Sequence, residues 1–596
     1  MNSSPIKTGP EVRRNEGWLY GLAFLIALGF RFIQLGASPL TDSEATLAVQ
    51  ALQIARGQAP LLGPQPGYIL LTSALFAIFH STNFLARFLP AIMGSLLVFA
   101  PYFFRDRIRL RPALILAFLF AIDPGLVALS RQASGTMLAV ASLLFAWGMW
   151  RNRQLIPAGI FAGLALLSGP SLWAGLLTLG ITWIFLQGIQ SKPTPEEPTD
   201  QSPVSTSPIT NYQLQASQYR PAIIALLITL LIGGTLFFLS PNGLSAWLSA
   251  LPAYLRGWVS ASALTPGRLT LTFAAYEILG LFLAAFSLIR GYRTKSPRIL
   301  RLGLWLGVAL LLAIFYRQPS EFVWVIIPLL TLASLELTRA MNIYAEERVE
   351  VGVVVLALLI LLVYIWFDIA KIGLDPHGQL GSTTLPLFGR TIQITSAPYV
   401  ILLGASLILI LCISFVAFGW STRTAWLGTV WVFTIFLGVY TLASAWGASR
   451  LRPQDGLEFW APGQPPLQTE LLLSTVEDVS EFSLGHKQAQ PVAIMGVNSP
   501  ALEWLLRDRQ VDVVSTLDPQ FAPPIVITPV MDDLGLPSAY RGQDFTWRPM
   551  PRWQEIKNPD WIRWLVFRQL PKDNETIILW ARDDLFPDAR ETSQQP

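Results

Sequence analysis

The chain has 596 residues, of which 52% are apolar and only 13% are charged, whereas about 25% of the residues of an ordinary soluble domain are charged. This composition excludes a disordered protein, a nucleic-acid-binding protein and a string of three or four soluble domains. The net charge of +4 hides an uneven distribution, because residues 1–449 carry 28 basic and 17 acidic side chains while residues 450–596 carry 14 and 21.

Thirteen apolar segments are long enough, or nearly long enough, to cross a membrane, which takes roughly 20 residues of helix. They lie at 17–36, 84–104, 112–129, 134–150, 156–168, 171–187, 221–240, 269–290, 299–316, 320–338, 350–368, 397–418 and 424–446. The fifth and sixth are short and meet at Ser168-Gly169-Pro170-Ser171, which predicts a broken hairpin. A fourteenth candidate at 66–79 decides the topology, because counting it as a span reverses the side of everything downstream.

The distribution of cations decides between the two topologies. If 66–79 lies in the interface, 17 cations on short loops fall on one side of the membrane and eight on longer loops fall on the other. If 66–79 spans, the cluster Arg105–Arg111 is exported. The sequence therefore predicts a multi-pass plasma-membrane protein with a cytoplasmic N-terminus and an extracytoplasmic C-terminal domain.

The spans and loops together predict five regions. They are a cytoplasmic tail at 1–16, a first membrane module at 17–187 with an outer loop at 37–83, a flexible cytoplasmic linker at 188–220, further membrane helices at 221–449 and a soluble domain at 450–596. The linker is rich in Pro, Ser, Thr and Gln. In the outer loop, apolar residues at helical spacing over 44–56 predict a helix that lies on the membrane surface.

The last region reads as a small α/β domain. Strands are predicted at 491–497, 511–514, 524–528 and 575–580, and Ser499-Pro500 predicts the start of a helix that continues through Arg509. The strand-to-helix turn is a place where an anion can bind. The alternative is an accessory domain that covers the membrane part.

Carboxylates next to or within the spans are the candidates for chemistry. Asp42 and Glu44 follow the first span; two carboxylates at this spacing can share a divalent cation such as Mg²⁺ or Mn²⁺, or one can act as a base. Alternatively, they cap the helix that follows. Asp123 lies before Pro124 in the third span, where it either breaks the helix or has a functional role. Glu277 is more typical of a structural hydrogen bond between spans.

Four arginines on the same outer side suit a phosphate or pyrophosphate group. They are Arg56, Arg87, Arg131 and Arg317. The alternative is that they bind lipid headgroups or helix ends. The single cysteine, Cys412, excludes a disulfide within one chain.

Several motifs follow one another in a recognisable order through residues 17–190. They are Asp42-Ser43-Glu44-Ala45, Gly63-Pro64-Gln65-Pro66-Gly67-Tyr68, Arg87-Phe88-Leu89-Pro90-Ala91-Ile92-Met93-Gly94, Ser130-Arg131-Gln132-Ala133 and Ala162-Gly163-Leu164-Ala165-Leu166-Leu167, with Tyr316-Arg317 as a weaker match further on. This region resembles the GT-C superfamily of integral-membrane glycosyltransferases, particularly its protein-O-mannosyltransferase and aminoarabinose-transferase-like branch. The expected fold is an α-helical polytopic membrane protein of about 13 transmembrane helices with a C-terminal soluble α/β domain.

The resemblance implies transfer of a sugar, with inversion, from a polyprenyl-phosphate-linked donor to a protein, lipid or glycan acceptor on the outer face of the membrane. It implies that a first-loop carboxylate, Asp42 or Glu44, acts as the base, with Asp123 as a second acid. Cationic residues would stabilise the departing phosphate. The substrate-binding residues would be Arg56, Tyr68, Arg87, Arg131 and Arg317. Because Ser43 stands where the family has its Asp, a catalytically degenerate GT-C-like scaffold or assembly subunit is the alternative.

Overall fold

The computed structural model describes residues 10–190, 208–260, 265–342, 344, 347–375, 383–387, 390–394, 397–449, 457–460, 463–518, 520, 522–553, 555–556 and 558–586. Residues 1–9 of the predicted tail at 1–16 and residues 191–207 of the predicted linker at 188–220 lie outside these residues, and the described parts of both segments are helical.

The first module is helical throughout the described residues. Its helices are α1 (Pro10–Phe32), α2 (Asp42–Ala55), α3 (Pro66–Phe79), α4 (Asn83–Leu96), α5 (Ala100–Phe103), α6 (Arg105–Ile108), α7 (Leu110–Ile122), α8 (Pro124–Ser130), α9 (Thr136–Arg151), α10 (Leu155–Leu167) and α11 (Pro170–Gln190). The predicted surface helix at 44–56 is confirmed as α2. The helix α3 has 14 residues, about 21 Å of helix, which is shorter than the roughly 30 Å of a bilayer core.

The second half of the membrane part adds helices and one short hairpin. They are α12 (Pro208–Thr235), α13 (Asn242–Leu248), α14 (Ala250–Gly257), α15 (Pro266–Tyr276), α16 (Ile278–Arg293), α17 (Pro297–Tyr316), α18 (Val323–Ala340), α19 (Arg348–Leu374), β1 (Thr383–Leu387), β2 (Arg390–Ile394), α20 (Ala397–Gly419) and α21 (Thr422–Ala448). The strands β1 and β2 pair antiparallel; this hairpin was not predicted.

Among the described residues, eight helices are long and apolar enough to cross a membrane, and ten segments do so when each of two bent helix pairs counts as one span. Three shorter apolar helices, α3, α9 and α10, come in addition. The prediction of a helical multi-pass membrane protein is confirmed. The number thirteen stays a prediction.

Breaks in the helices occur where the sequence contains local stop signals. The helices α10 and α11 are separated at Gly169, whose φ is +111°, a conformation that side chains with a Cβ avoid. This confirms the predicted break between the fifth and sixth apolar segments. The axis bends by 56° at Asp123, between α7 and α8, and by 91° at Glu277, between α15 and α16. Asp123 thus breaks the third span.

The C-terminal domain is a five-stranded mixed sheet with helices packed around it. Its elements are α22 (Thr469–Leu484), β3 (Val492–Met495), α23 (Pro500–Leu505), β4 (Val511–Val514), β5 (Ile525–Pro529), β6 (Tyr540–Pro551), α24 (Asn558–Phe567) and β7 (Lys572–Arg582). The strand order is β4-β3-β5-β7-β6; β3 runs parallel to β4 and β5, and β7 runs antiparallel to β5 and β6. All four predicted strands are present, whereas β6, α22 and α24 were not predicted.

The domain and the first loop share one hydrophobic core. Ala48 of α2 and Phe76 of α3 belong to the same buried cluster as Leu502, Trp504 and Ile527 of the domain. The rings of Phe76 and Trp504 are 5.6 Å apart. The domain therefore packs onto the loop that carries the predicted carboxylates, and this face of the membrane part is called the domain face below.

Candidate functional site

Glu44 is locked into the start of α2. Thr41 is the N-cap residue, its hydroxyl accepts a hydrogen bond from the Glu44 amide, and the Glu44 carboxylate in turn accepts one from the Thr41 amide at 3.0 Å. This reciprocal arrangement is a capping box, which satisfies two backbone donors at the helix end. The predicted alternative, that an acid here caps the helix, is what the structure shows for Glu44.

The same carboxylate forms a buried, bidentate ion pair with Arg87 of α4. Arg87 Nε donates to Glu44 Oε1 and Arg87 Nη2 donates to Oε2, both at 2.8 Å, and each side chain is only 2% exposed. The Ala133 amide also donates to Oε1 at 3.0 Å. Glu44 thus joins three segments of the first module, and its oxygens are surrounded by donors.

Two predicted phosphate-binding arginines hold the chain that leaves α1. Arg87 also donates to the carbonyl oxygens of Ser38 and Pro39. Arg131 donates to the carbonyl oxygens of Phe30, Arg31, Ile33 and Gln34. The carbonyls bound by Arg131 lie at the end of α1, where backbone acceptors run out of partners within the helix. Both guanidinium groups therefore fix the path of the first loop.

Asp42 faces the C-terminal domain. Its Oδ1 accepts hydrogen bonds from the Ser499 hydroxyl at 2.5 Å and from the Ala501 amide at 3.2 Å, at the start of α23. Its Oδ2 pairs with Arg548 of β6, which also pairs with Glu575 of β7. Asp42 is 28% exposed. The anion that the strand-to-helix turn at Ser499 binds in this structure is therefore a carboxylate of the same chain.

The remaining predicted residues lie in separate places. Asp123 is buried, accepts a hydrogen bond from the Leu126 amide at 2.8 Å and lies beside Glu277 and Arg31. Arg56 donates to the Arg507 carbonyl at 2.8 Å. The other two are Tyr68, which donates to the Ala86 carbonyl at 2.6 Å, and Arg317, which ends α17 with a φ of 61°.

Two neighbouring cavities lie between the membrane part and the C-terminal domain. The smaller, about 20 Å³, is lined by Arg87, Arg131, Glu458 and Trp460 among others. The larger, about 960 Å³, is lined by the first loop, by the start of α4 and by the domain. Ser38 and Glu458 line both. The structure thus brings Arg87 and Arg131 to one cavity, while Arg56, Asp123 and Arg317 lie away from it.

Glu458 is the cavity carboxylate that sequence reasoning missed. It is 8% exposed, accepts a hydrogen bond from the Tyr276 hydroxyl and lies 3.8 Å from the Arg568 guanidinium. That guanidinium also lies 4.5 Å from the ring centre of Tyr276. In the sequence, only the neighbouring apolar pair Phe459-Trp460 indicated that Glu458 is buried. No spacing rule connects residue 458 with a tyrosine 182 positions earlier.

The larger cavity also carries cations that the sequence did not single out. Arg507, Arg509 and Lys572 line it, and so do the acids Glu458, Glu470, Glu477 and Asp508. Burial lowers the pKa of Arg507 from its ordinary value, but an arginine stays charged throughout the physiological range. The cavity therefore carries side chains of both signs of charge.

A divalent cation shared by Asp42 and Glu44 does not fit this arrangement. The Glu44 carboxylate faces Arg87, and the Asp42 carboxylate faces Arg548. Among the described residues, no group of three or more His, Cys, Asp or Glu is placed to hold a metal ion. A metal at this pair would have to displace two guanidinium groups.

Comparison with solved structures identifies the fold. The structure is similar to the crystal structure of ArnT from Cupriavidus metallidurans bound to undecaprenyl phosphate, with a TM-score of 0.53 and 12% identity over 96% of this chain and 99% of that chain. The same protein in the apo state matches 87% of this chain and 93% of that chain, with a TM-score of 0.48 and 14% identity. No family model and no curated protein matches the sequence. The likeness confirms the predicted GT-C-like fold.

Proposed function

We propose that the chain transfers a sugar from a polyprenyl-phosphate-linked donor to an acceptor at the domain face of the membrane. The observation that carries the proposal is the large cavity of about 960 Å³ between the first loop and the C-terminal domain, in a fold shared with ArnT over almost the full length of both chains. That solved structure holds undecaprenyl phosphate. The cation distribution of the sequence supports an extracytoplasmic position for the domain face.

The proposed reaction is a displacement at the anomeric carbon, with inversion. The acceptor hydroxyl gives its proton to a carboxylate as its oxygen bonds to the anomeric carbon. The bond between that carbon and the phosphate oxygen breaks, and the phosphate leaves with the electron pair. Guanidinium and ammonium groups stabilise the charge that develops on the departing phosphate. In the large cavity these groups are Arg507, Arg509 and Lys572.

Of the two first-loop carboxylates, Asp42 is the better candidate for the base. Glu44 is buried and accepts hydrogen bonds from Arg87, Ala133 and Thr41, so its role in the proposal is to position the loop. Asp42 is a quarter exposed and is held by Ser499 and Arg548 of the C-terminal domain. A small displacement of the domain would release its carboxylate toward the cavity, whose wall includes the neighbouring Leu40 and Ala501.

The alternative is a catalytically degenerate GT-C-like scaffold, and one observation favours it. Both first-loop carboxylates face arginines of the same chain, as they would in a protein that uses them only to hold its domain in place. Under this alternative, the outer domain serves as the contact surface for an assembly partner.

Donor turnover decides between the two. The full chain is reconstituted in nanodiscs and supplied with polyprenyl-phosphate-linked radiolabelled sugars and an extract of native membranes as acceptor, and release of the polyprenyl phosphate is followed. The enzyme releases it, and Asp42→Asn abolishes the release while the protein stays folded and inserted. If Asp42→Asn and Glu44→Gln together leave transfer intact, the assignment is wrong. Absence of turnover with every donor supports the scaffold.

A further inference from the structure

A second large cavity lies at the opposite face from the C-terminal domain. Its volume is about 1200 Å³, and its walls come from α7, α9, α11, α17 and α18. This exceeds the roughly 300–1,000 Å³ of pockets that hold drug-sized ligands. The cavity lies at the far ends of these helices from Asp42 and Glu458, so it is separate from the proposed site of sugar transfer.

The mouth of this cavity is a ring of positive charge. Eight arginines line it and, among the described residues, no Asp or Glu does. Arg290 pairs with Glu336 at 2.8 Å, and Arg339 lies 3.9 Å from the same acid. The other six have no ion pair with any residue that the structure describes; they are Arg107, Arg109, Arg111, Arg151, Arg298 and Arg301. Several guanidinium groups without an ion-pair partner, gathered around one cavity, suit an anionic ligand such as a phosphate group.

The interior of the cavity is apolar. Behind the arginines, the walls are formed by residues such as Leu144, Trp147 and Trp305. Along α18 the lining extends from Arg339 to Ile327, which is twelve positions, or roughly 18 Å of helix. One leaflet of the hydrocarbon core is about 15 Å thick, half of the total. The cavity is therefore about as deep as one leaflet.

The cavity is also open to the surroundings along α11. Trp183, which lines it, is 60% exposed. Loop arginines by themselves follow from the rule that cations collect on the cytoplasmic side. That rule does not account for a deep apolar chamber behind them with an opening at membrane level. The cavity thus has a positively charged mouth, an apolar interior and a lateral opening. These three features suit an anionic amphiphile that enters from the bilayer.

We propose that this cavity binds an anionic phospholipid of the leaflet opposite the C-terminal domain, with its phosphate groups at the arginines and acyl chain in the apolar interior. Basic pockets between membrane helices on this kind of surface suit headgroups with more than one phosphate. Cardiolipin, with two phosphates, matches the six unpaired arginines best. A polyprenyl chain is several times longer than an acyl chain and does not match a depth of one leaflet.

The test uses the full chain in mild detergent, with cardiolipin as the probe and phosphatidylcholine as the neutral comparison. Bound lipid is counted by native mass spectrometry, and the dissociation constant is taken from the shift in thermal unfolding midpoint. The charge variant is Arg107→Ala with Arg298→Ala. The matched control is Arg153→Ala with Arg293→Ala, which removes two exposed arginines from the same face that do not line the cavity. A third variant, Leu302→Trp, fills the interior and keeps every arginine.

We expect cardiolipin to bind the wild type and the control with equal affinity, and the charge variant at least tenfold more weakly. We expect Leu302→Trp to lose lipid binding as well, which separates insertion of a chain from attraction at the surface. Equal weakening in the control, or full binding by Leu302→Trp, would reduce the effect to surface charge and overturn the proposal. Polyprenyl phosphate that is retained by the wild type, is lost in the charge variant and is not displaced by cardiolipin would show that this cavity holds the donor lipid, and it would also overturn the proposal. Donor turnover is measured separately, so failure here leaves the proposed function standing.

Discussion

Asp42 and Arg548 form an ion pair between the first loop and the C-terminal domain, 506 positions apart in sequence. The Asp42 carboxylate also accepts from the Ala501 amide at the start of α23, and Arg548 is held on its other side by Glu575. The candidate base of the reaction is thus one of the residues that attach the domain to the first loop. Domain attachment and the availability of this carboxylate are therefore coupled.

The first prediction concerns this coupling. Asp42→Asn and Arg548→Gln should each loosen the domain, and the double variant should lose less stability than the sum of the two single effects, because both substitutions remove the same ion pair. Both side chains are about a quarter exposed, so the interaction energy should be about 1 kcal/mol or less. The measurement is a double-mutant cycle on thermal unfolding, with hydrogen exchange of 499–505 as the local readout.

The control for this cycle is Arg541→Gln, which removes the exposed pair with Asp583 inside the domain. It should leave exchange at 499–505 unchanged. Strictly additive effects of Asp42→Asn and Arg548→Gln would show that the two residues do not interact.

The second prediction concerns Glu44. Glu44→Gln should reduce the free energy of unfolding by roughly 3–5 kcal/mol, because it leaves the buried Arg87 guanidinium without its counter-charge. The matched control is Glu481→Gln, whose exposed carboxylate lies 4.0 Å from Lys487 and should contribute little. Thermal unfolding in detergent checks both. If the Glu44→Gln protein is as stable as the control but does not transfer the sugar, Glu44 takes part in the chemical step rather than positioning the loop.

Local patterns in the sequence predicted the parts of the fold that depend on local physics. The break at Gly169, the helix α2 and the strands β3, β4, β5 and β7 each follow from residue type and spacing. The strand β6 was missed because Gly542, Pro549 and Pro551 interrupt its 12 residues, and such residues are typical of loops. Backbone pairing with β7 along most of its length stabilises this strand although its local residue preferences disfavour one.

The site was harder to predict, because its residues meet only through tertiary contacts. The sequence singled out Asp42, Glu44, Arg87 and Arg131 as candidates, but it did not indicate which partners they have in the fold. Which carboxylate is buried depends on where Arg87 arrives from α4, and which one faces the domain depends on Arg548. The spacing of residues within the first loop encodes neither of these two contacts.

The third prediction concerns Glu458, the carboxylate that lines both domain-face cavities. Glu458→Gln keeps the size of the side chain and an acceptor for the Tyr276 hydroxyl, but it removes the negative charge. We expect donor turnover to fall at least tenfold, with a smaller change in the thermal midpoint, because Arg568 keeps its hydrogen bonds to the carbonyls of Trp564 and Leu565. The Glu481→Gln protein is the control. Turnover equal to that control would place Glu458 outside the working site.

The fourth prediction concerns the break between α10 and α11. An added Cβ at Gly169 would lie 2.8 Å from the Pro64 carbonyl oxygen and 2.7 Å from the Gln65 side chain, and a φ of +111° already disfavours any other residue. Gly169→Ala should therefore lower the free energy of unfolding by more than the roughly 1–3 kcal/mol of backbone strain alone.

Gly180→Ala is the matched control for this substitution. Gly180 lies in the interior of α11, and a Cβ there meets no atom within 4 Å. The same chemical change should stabilise the protein there by about 0.5–1 kcal/mol, because alanine loses less backbone freedom in a helix than glycine does. Opposite signs for the two variants in one thermal unfolding assay confirm that the break needs glycine. Equal effects would mean that Pro170 alone separates α10 from α11. The close approach of residues 64–65 to this break would then not be needed to hold the first loop.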